Sequence, residues 1–347
     1  MLVAIDTSYA ARGVSGTAVY VERLIPALEA EGVEVVRLRQ PVRGRRGERN
    51  KLRSAANAAL DLAWTRELLP RAAERVKADV IHHPLPAWSP TAIPQVVTVH
   101  DVAFARFPDE FDAVWRRVAL RSHRTSVARA AAIVAVSEAS ARDAIAWLRA
   151  TEERVVVALH GPGQELALPR ERTREHWLYV GDDEPRKNVA GLLAAHARYR
   201  ELGGTKPLML AGGASSRGAA AVGGPAADAR VIGIPHPDAR TLADLHGCAI
   251  GLVHPSRDEG FGLTVLEAMS VGTPVIAVRN AAIEELAGDA AVLTDDRDLA
   301  DAMLRLERDE RLQEKLTAAG RERAAAFSWQ RSAKAHVEAY TLARSSR

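Results

Sequence analysis

Short apolar runs alternate with longer stretches in which apolar residues return every three to four positions, and this alternation holds through most of the chain. Leu2-Val3-Ala4-Ile5, Val33-Glu34-Val35-Val36, Val80-Ile81-His82 and Val96-Val97-Thr98-Val99 have the length and branched content of buried strands. Residues 19–31 have the other period: Val21, Leu24 and Leu28 share one face of a helix that Gly32 closes. A helical region over 52–75, a long helix carrying Trp115, Val118, Ala119 and Ser122, and the strands Ile133-Val134-Ala135-Val136 and Val155-Val156-Val157 continue the series. Such strand–helix–strand units predict a parallel sheet covered by helices on both faces. Gly161-Pro162-Gly163 and a polar run to Arg174 interrupt the pattern. It restarts at Trp177-Leu178-Tyr179-Val180 and passes through 208–211, 231–234, 249–253 and 275–277 into a helical tail over 299–343. The prediction is two doubly wound α/β domains, 1–163 and 164–326, and a last helix within 327–347.

Composition narrows the class without changing this picture. At 347 residues, 47% apolar and 26% charged, the chain has material for two cores of ordinary size. No apolar stretch is long enough to cross a bilayer, and Met1-Leu2-Val3-Ala4-Ile5 runs directly into Asp6 rather than into a cleavable leader. The single Cys248 excludes a disulfide framework and a cysteine metal cluster, so the expected compartment is the cytosol and no metal site is expected. The net charge of +3 is unevenly spread: Arg37, Arg39, Arg43, Arg45, Arg46, Arg49, Lys51 and Arg53 crowd one segment. Its readings are a solvated loop, a contact with a phosphorylated acceptor, or a peripheral contact with anionic lipid at the inner face of the membrane. It has no interleaved aromatics, and no nucleic-acid partner is expected.

Three loops carry chemistry. The longest is His254-Pro255-Ser256-Arg257-Asp258-Glu259-Gly260-Phe261-Gly262-Leu263-Thr264-Val265-Leu266-Glu267-Ala268-Met269, which leaves an apolar strand through a glycine turn and enters a helix. Free N–H groups at such a helix start suit phosphates and sugar hydroxyls, and Gly260 and Gly262 admit close backbone approach. Two carboxylates, Glu259 and Glu267, stand in it with seven residues between them. The second loop, Asp182-Asp183-Glu184-Pro185-Arg186-Lys187-Asn188, sets two cations between a strand end and a helix start. In the third, His100-Asp101 sits at the carboxyl end of a strand, where open α/β sheets place ligand sites.

Glu259 to Glu267 within Pro-Ser-x-x-Glu-Gly-Phe-Gly-Leu resembles the E-x7-E signature of retaining glycosyltransferases of family 4, which have the GT-B fold. The segments V-V-T-V-H-D-V-A-F-A-R-F-P-D-E-F, E-P-R-K-N, Gly272-Thr273-Pro274 and Phe327-Ser328-Trp329 are similar to family segments in the same order, so the likeness covers nearly the whole chain. It implies two Rossmann-like domains facing each other across a cleft, the acceptor on the first and the nucleotide-sugar on the second, with the last helix packed back on the first. It also implies roles. Arg186 and Lys187 clamp the donor diphosphate, Glu267 holds the ribose, Glu259 contacts the donor sugar, and His100 lies near the sugar's 6-position. Further donor contacts are implied for Gly16, Asp101, Ile232, Gly260, Phe261, Gly262 and Leu263.

The activity so implied moves a hexose, such as mannose or glucose, from a GDP- or UDP-sugar to a saccharide or lipid-linked acceptor, with retention and with no cofactor. The alternatives are a GT-B epimerase or hydrolase and a non-catalytic nucleotide-sugar-binding subunit. Two departures from the family pattern are visible: Thr17 follows Gly16 where many members have Arg, and Glu284-Glu285 replaces Pro-Glu.

Overall fold

The structure is a computed structural model and describes residues 1–10, 15–40, 51–164, 166, 173–217 and 230–346. The chain divides into two compact units, Met1–Gly161 with Ser328–Arg347, and Pro162–Phe327.

Unit 1 is built on β1 (Leu2–Asp6), β2 (Glu34–Leu38), β3 (Val80–His83), β4 (Gln95–Val99), β5 (Ala132–Ala135) and β6 (Val155–Val157). They form one parallel sheet in the order β2-β1-β3-β4-β5-β6. The central strands are buried throughout because helices cover both faces, which is why they read as unbroken apolar runs. On one face the helices Gly16–Ala30 and Trp329–Ser345 pack Val21, Leu24, Leu28, Ala333 and Ala339 against Val3, Val96 and Val134. On the other, Phe104, Val127 and Leu148 cover Val97, Val99 and Ile133. The helix Trp329–Ser345, last in the chain, is thus part of the first unit's core.

That core contains a polar chain whose direction follows from its end. The Ser332 carbonyl can only accept, so His336 Nδ1–H donates to it (2.7 Å) and Nε2 must accept from the Tyr20 hydroxyl (2.7 Å). Tyr20 Oη then accepts from Thr98 (2.9 Å), Thr98 accepts from His82 Nε2–H (2.8 Å), and His82 Nδ1 accepts from Tyr340 (2.8 Å). Every side chain in this chain is fully buried. It ties the first and last long helices to β3 and β4, with each partner satisfied only because the others are present.

Unit 2 carries β7 (His176–Val180), β8 (Leu208–Ala211), β9 (Val231–Ile234), β10 (Ala249–His254), β11 (Val275–Val278) and β12 (Val292–Thr294). These also run parallel, in the order β12-β11-β10-β7-β8-β9. Numbered within the unit this is the 3-2-1-4-5-6 order of dinucleotide-binding sheets, whereas unit 1 has the 2-1-3-4-5 arrangement extended by one strand. Each has a switch point where chain direction reverses across the sheet, between β1 and β3 in unit 1 and between β7 and β10 in unit 2. Trp177, Tyr179, Leu192 and Tyr199 form one side of the second core and Ile276, Met303 and Leu306 another.

Among the described residues no helix is long and apolar enough to cross a membrane. Of the basic segment after residue 36, Arg37 pairs with Glu29 at 3.4 Å. Arg43, Arg45, Arg46 and Arg49 lie outside the described residues, as do the side chains of Lys51 and Arg53.

Candidate functional site

Pairing of β7 with β10 sets the loops that leave their carboxyl ends side by side. In the first, Pro185–Lys187 forms a single 3-10 turn, and Asn188 turns left-handed (φ 53°) to start the helix Val189–Glu201. Asparagine tolerates that conformation, and its side chain also donates to Asp296 Oδ1 at 2.9 Å. Asp296 Oδ2 in turn accepts from Arg257 Nε of the second loop at 2.9 Å, so one carboxylate braces both loops. Their backbones join directly where Arg257 N–H donates to the Arg186 carbonyl at 2.9 Å. The second loop ends at Gly262 with φ 104°, where a Cβ would stand 2.6 Å from Ile283 Cδ1. Only glycine meets both demands.

At the junction Glu259 is held by three basic side chains. Its Oε1 lies 2.6 Å from Lys187 Nζ and 3.1 Å from His254 Nε2, and its Oε2 lies 3.3 Å from Arg186 Nη1. Arg186 also pairs through Nε with Glu184 at 3.0 Å and donates to the Asp258 carbonyl at 3.3 Å. The Glu259 side chain is only 8% exposed. Burial by itself pushes its carboxyl up; Lys187, His254 and Arg186 together outweigh this and hold it well below the usual carboxylate range. Glu259 is therefore an anion whenever the fold is intact near neutral pH. It cannot serve as a proton donor.

The structure brings Arg186, Lys187 and Glu259 together as one charge cluster at the switch point of unit 2, although 72 residues separate Lys187 from Glu259. Glu267 is buried one helical segment further on, in Leu263–Ser270, and its Oε1 accepts the Gln164 backbone N–H at 3.0 Å. Gly260 is buried, and Leu263 is the first residue of that helix. The Phe261 ring is turned into the unit against Phe327, with centroids 5.9 Å apart, so any ligand contact at this residue is left to its backbone. Ile232 is 41% exposed on the edge strand β9. At the Glu284-Glu285 departure, Asn280 caps the helix Ala281–Ala287 and its Nδ2 donates to the Ser256 carbonyl at 3.0 Å, while Arg279 pairs with Glu284.

The remaining sequence-predicted residues belong to unit 1. His100 follows β4. Its Nε2–H donates to the Pro84 carbonyl at 3.0 Å, and the Tyr20 ring meets it edge-on at 5.0 Å. Burial lowers its pKa, so the ring is neutral near pH 7 and its tautomer is set by the Pro84 contact. The Asp101 carboxylate accepts from Ala103 N–H at 3.2 Å. Gly16 lies ahead of the helix that the sequence predicts over 19–31. It is instead the exposed first residue of the helix Gly16–Ala30, because Ser15 caps that helix by accepting from Ala18 N–H at 3.2 Å.

Sequence reading gave His254 and Asn188 no role, yet one touches Glu259 and the other clamps the two loops. Both stood in the quoted motifs. A histidine closing a strand one loop before a carboxylate was the available signal for the first.

Comparison with known proteins bears on the family and the fold. The model of the Glycosyltransferase Family 4 matches residues 14–161, and that of the Glycosyl transferases group 1 matches residues 167–323. O-antigen chain mannosyltransferase B of Escherichia coli is 29% identical over 291 residues, covering 76% of this chain and 74% of its own. D-inositol 3-phosphate glycosyltransferase of Geodermatophilus obscurus is 37% identical over 112 residues, but these span 32% of this chain and 25% of that protein. Among solved structures, sucrose-phosphate synthase of Thermosynechococcus elongatus superimposes with a TM-score of 0.80 at 20% identity, covering 98% of both chains. Anabaena HepE, solved in complex with UDP-glucose, gives 0.69 at 16% identity over 97% of this chain and 98% of its own. With both units matched by family models and two parallel doubly wound sheets on the page, the chain belongs to glycosyltransferase family 4 and has the GT-B fold.

Proposed function

We propose that the protein transfers a hexose, with retention, from a nucleoside-diphosphate sugar to a saccharide or lipid-linked acceptor. The observation that carries this reading is the buried Lys187–Glu259–Arg186 cluster at the switch point of a dinucleotide-type sheet. Breaking an anomeric C–O bond leaves negative charge on the diphosphate and positive charge on the sugar. Arg186 and Lys187 supply fixed cations for the first, and an ionised Glu259 faces the second. Glu259 is kept too acidic to donate a proton, so it stabilises the sugar cation while the acceptor's proton passes to the departing phosphate on the same face. Glu267 serves the ribose, and the neutral imidazole of His100 serves the sugar hydroxyls. A mannosyltransferase among the relatives and a UDP-glucose complex among the structural neighbours support the donor class.

The test has two stages. A panel of GDP- and UDP-hexoses is screened by thermal shift, since a bound donor stabilises the fold by mass action, and the product of the stabilising donor is then examined by NMR. The expected result is stabilisation by one nucleotide family and a product of unchanged anomeric configuration, formed equally well in EDTA because the two side-chain cations neutralise the leaving group. An inverted product, or transfer that needs an added divalent ion, would overturn the mechanism.

The pairing seen in the structure also separates the two glutamates. Glu259→Gln removes the counter-ion that Arg186 and Lys187 share, leaving Arg186 only Glu184, so binding of the free nucleoside diphosphate should hold or tighten while turnover falls about a hundredfold. Glu267→Ala should weaken nucleoside diphosphate binding. Calorimetry in which both variants lose the same affinity would contradict the division.

A further inference from the structure

The helix Ala113–Arg129 leaves to solvent a side that is not polar. Val114, Trp115 and Val118 are 63%, 52% and 64% exposed, on a single turn. Trp115 is held in that position: Phe111 stacks on it at 5.7 Å and Phe104 meets it edge-on at 5.8 Å. At helical spacing the same side continues through Arg121 and Thr125 to Arg129. The helix contains five arginines and no acid.

Among the described residues none of Arg117, Arg121, Arg124 and Arg129 pairs with a carboxylate. Arg117 and Arg124 donate to backbone carbonyls, and Arg129 lies over the Trp88 ring at 3.8 Å. Arg66 lies over the same ring at 4.1 Å, flanked by exposed Leu62 and Leu68. The nearest acid at the other end, Asp112, is engaged as the helix cap, accepting from Trp115 N–H at 2.8 Å. The result is a strip about 25 Å long, at 1.5 Å per residue, with a tryptophan near each end and, between them, guanidinium groups that no carboxylate neutralises among the described residues.

We propose that this strip docks unit 1 on a lipid bilayer that carries anionic headgroups. Scattered exposed apolar residues are ordinary on a protein surface; three on one turn of an acid-free helix are not. Valine and indole groups enter the headgroup boundary while arginines reach phosphates from the same face, the division of labour of interfacial helices. A second copy of the chain is a poor occupant. A two-fold contact would set arginine against arginine, and the helix itself carries no carboxylate to offset the repulsion. The inference stands on this surface alone and does not depend on the donor site.

The experiment is co-sedimentation of the full chain with vesicles of phosphatidylglycerol and phosphatidylcholine, and with phosphatidylcholine alone, at low and high salt. The chain should pellet with the anionic vesicles only, be released by high salt, and be unaffected by millimolar inorganic phosphate. Arg117→Gln with Arg121→Gln should weaken partitioning roughly thirtyfold. Val114→Ser with Val118→Ser should weaken it further, with melting temperatures unchanged in both variants. No pelleting of the wild type, equal pelleting of the variants, or equal pelleting with neutral vesicles would overturn the proposal. So would size-exclusion chromatography showing a dimer that the serine variant dissolves, which would make the strip a contact between copies.

Discussion

Lys187→Ala should lower turnover by a hundredfold or more, the cost of removing one preorganised donor from developing negative charge. The loss has a second source in this structure. Lys187 makes the shortest contact to Glu259, 2.6 Å, and that carboxylate is almost wholly buried. Removing one partner of a buried pair strands the other, so the Glu259 pKa should rise toward the ordinary range and its anionic form should cease to be guaranteed. A merely structural role predicts a lost fold, whereas this pairing predicts a shifted pH profile. The activity remaining in Lys187→Ala should acquire an acid limb nearer neutrality than that of the wild type, and Lys187→Arg should restore part of both. Steady-state kinetics from pH 5 to 8 on a verified donor decide the matter. Turnover within threefold of wild type, with an unmoved acid limb, would remove Lys187 from the site.

Acid should unfold unit 1 in a window set by its histidines. His82, His160 and His336 lie inside the first core, and burial lowers each pKa, that of His336 to about 4 and those of His82 and His160 well below the usual 6.5. Neighbouring histidines add to the shift at each of them. A group whose folded pKa is depressed is bound by more protons in the unfolded chain. Its contribution to stability is therefore intact above pH 6.5 and declines as the pH falls below that value. Between pH 6.5 and 5 His336 withdraws about 2 kcal/mol, at about 1.4 kcal/mol per pH unit. His82 and His160 act in the same direction, and about one or two kcal/mol is already a large share of a typical domain's stability. Unit 2 is governed differently at Glu259, whose depressed carboxyl stabilises above its unfolded pKa near 4.3 and loses that effect only in stronger acid. Urea denaturation of the full chain at pH 7.5, 6 and 5 should show a transition that weakens steeply over this range. His336→Phe should remove about one proton's worth of the slope. A midpoint flat between pH 7 and 5 would show that these rings are not buried neutral.

Much of the donor loop chemistry was legible along the chain, because each element is contiguous. The turn glycines, the cations of Glu184-Pro185-Arg186-Lys187-Asn188 and the carboxylates of the long motif all lie within single strand-to-helix segments. What could not be read was the pairing across those segments. Lys187 and Arg186 were expected to meet phosphate, and Glu259 a sugar, but nothing local says that the cations are neutralised by that same carboxylate or that Glu184 also holds Arg186. The Phe261 ring shows the same limit. It lies between two glycines in a ligand-type loop, and only its packing on Phe327 shows that it serves the core.

The sequence by itself determined the element types, the two-unit plan and the positions of the loops, because hydrophobic period and turn residues act over a few positions and need no partner from elsewhere. Tertiary structure decided the strand orders, and with them which loops become neighbours, since β7 lies beside β10 only after three crossovers have been placed. It also decided the buried chain from Tyr340 through His82, Thr98 and Tyr20 to His336 and the Ser332 carbonyl, which unites residues as much as 316 positions apart. A buried hydroxyl or imidazole is tolerable only when its partner is in place. No periodicity records that partner, and the folded core alone supplies it.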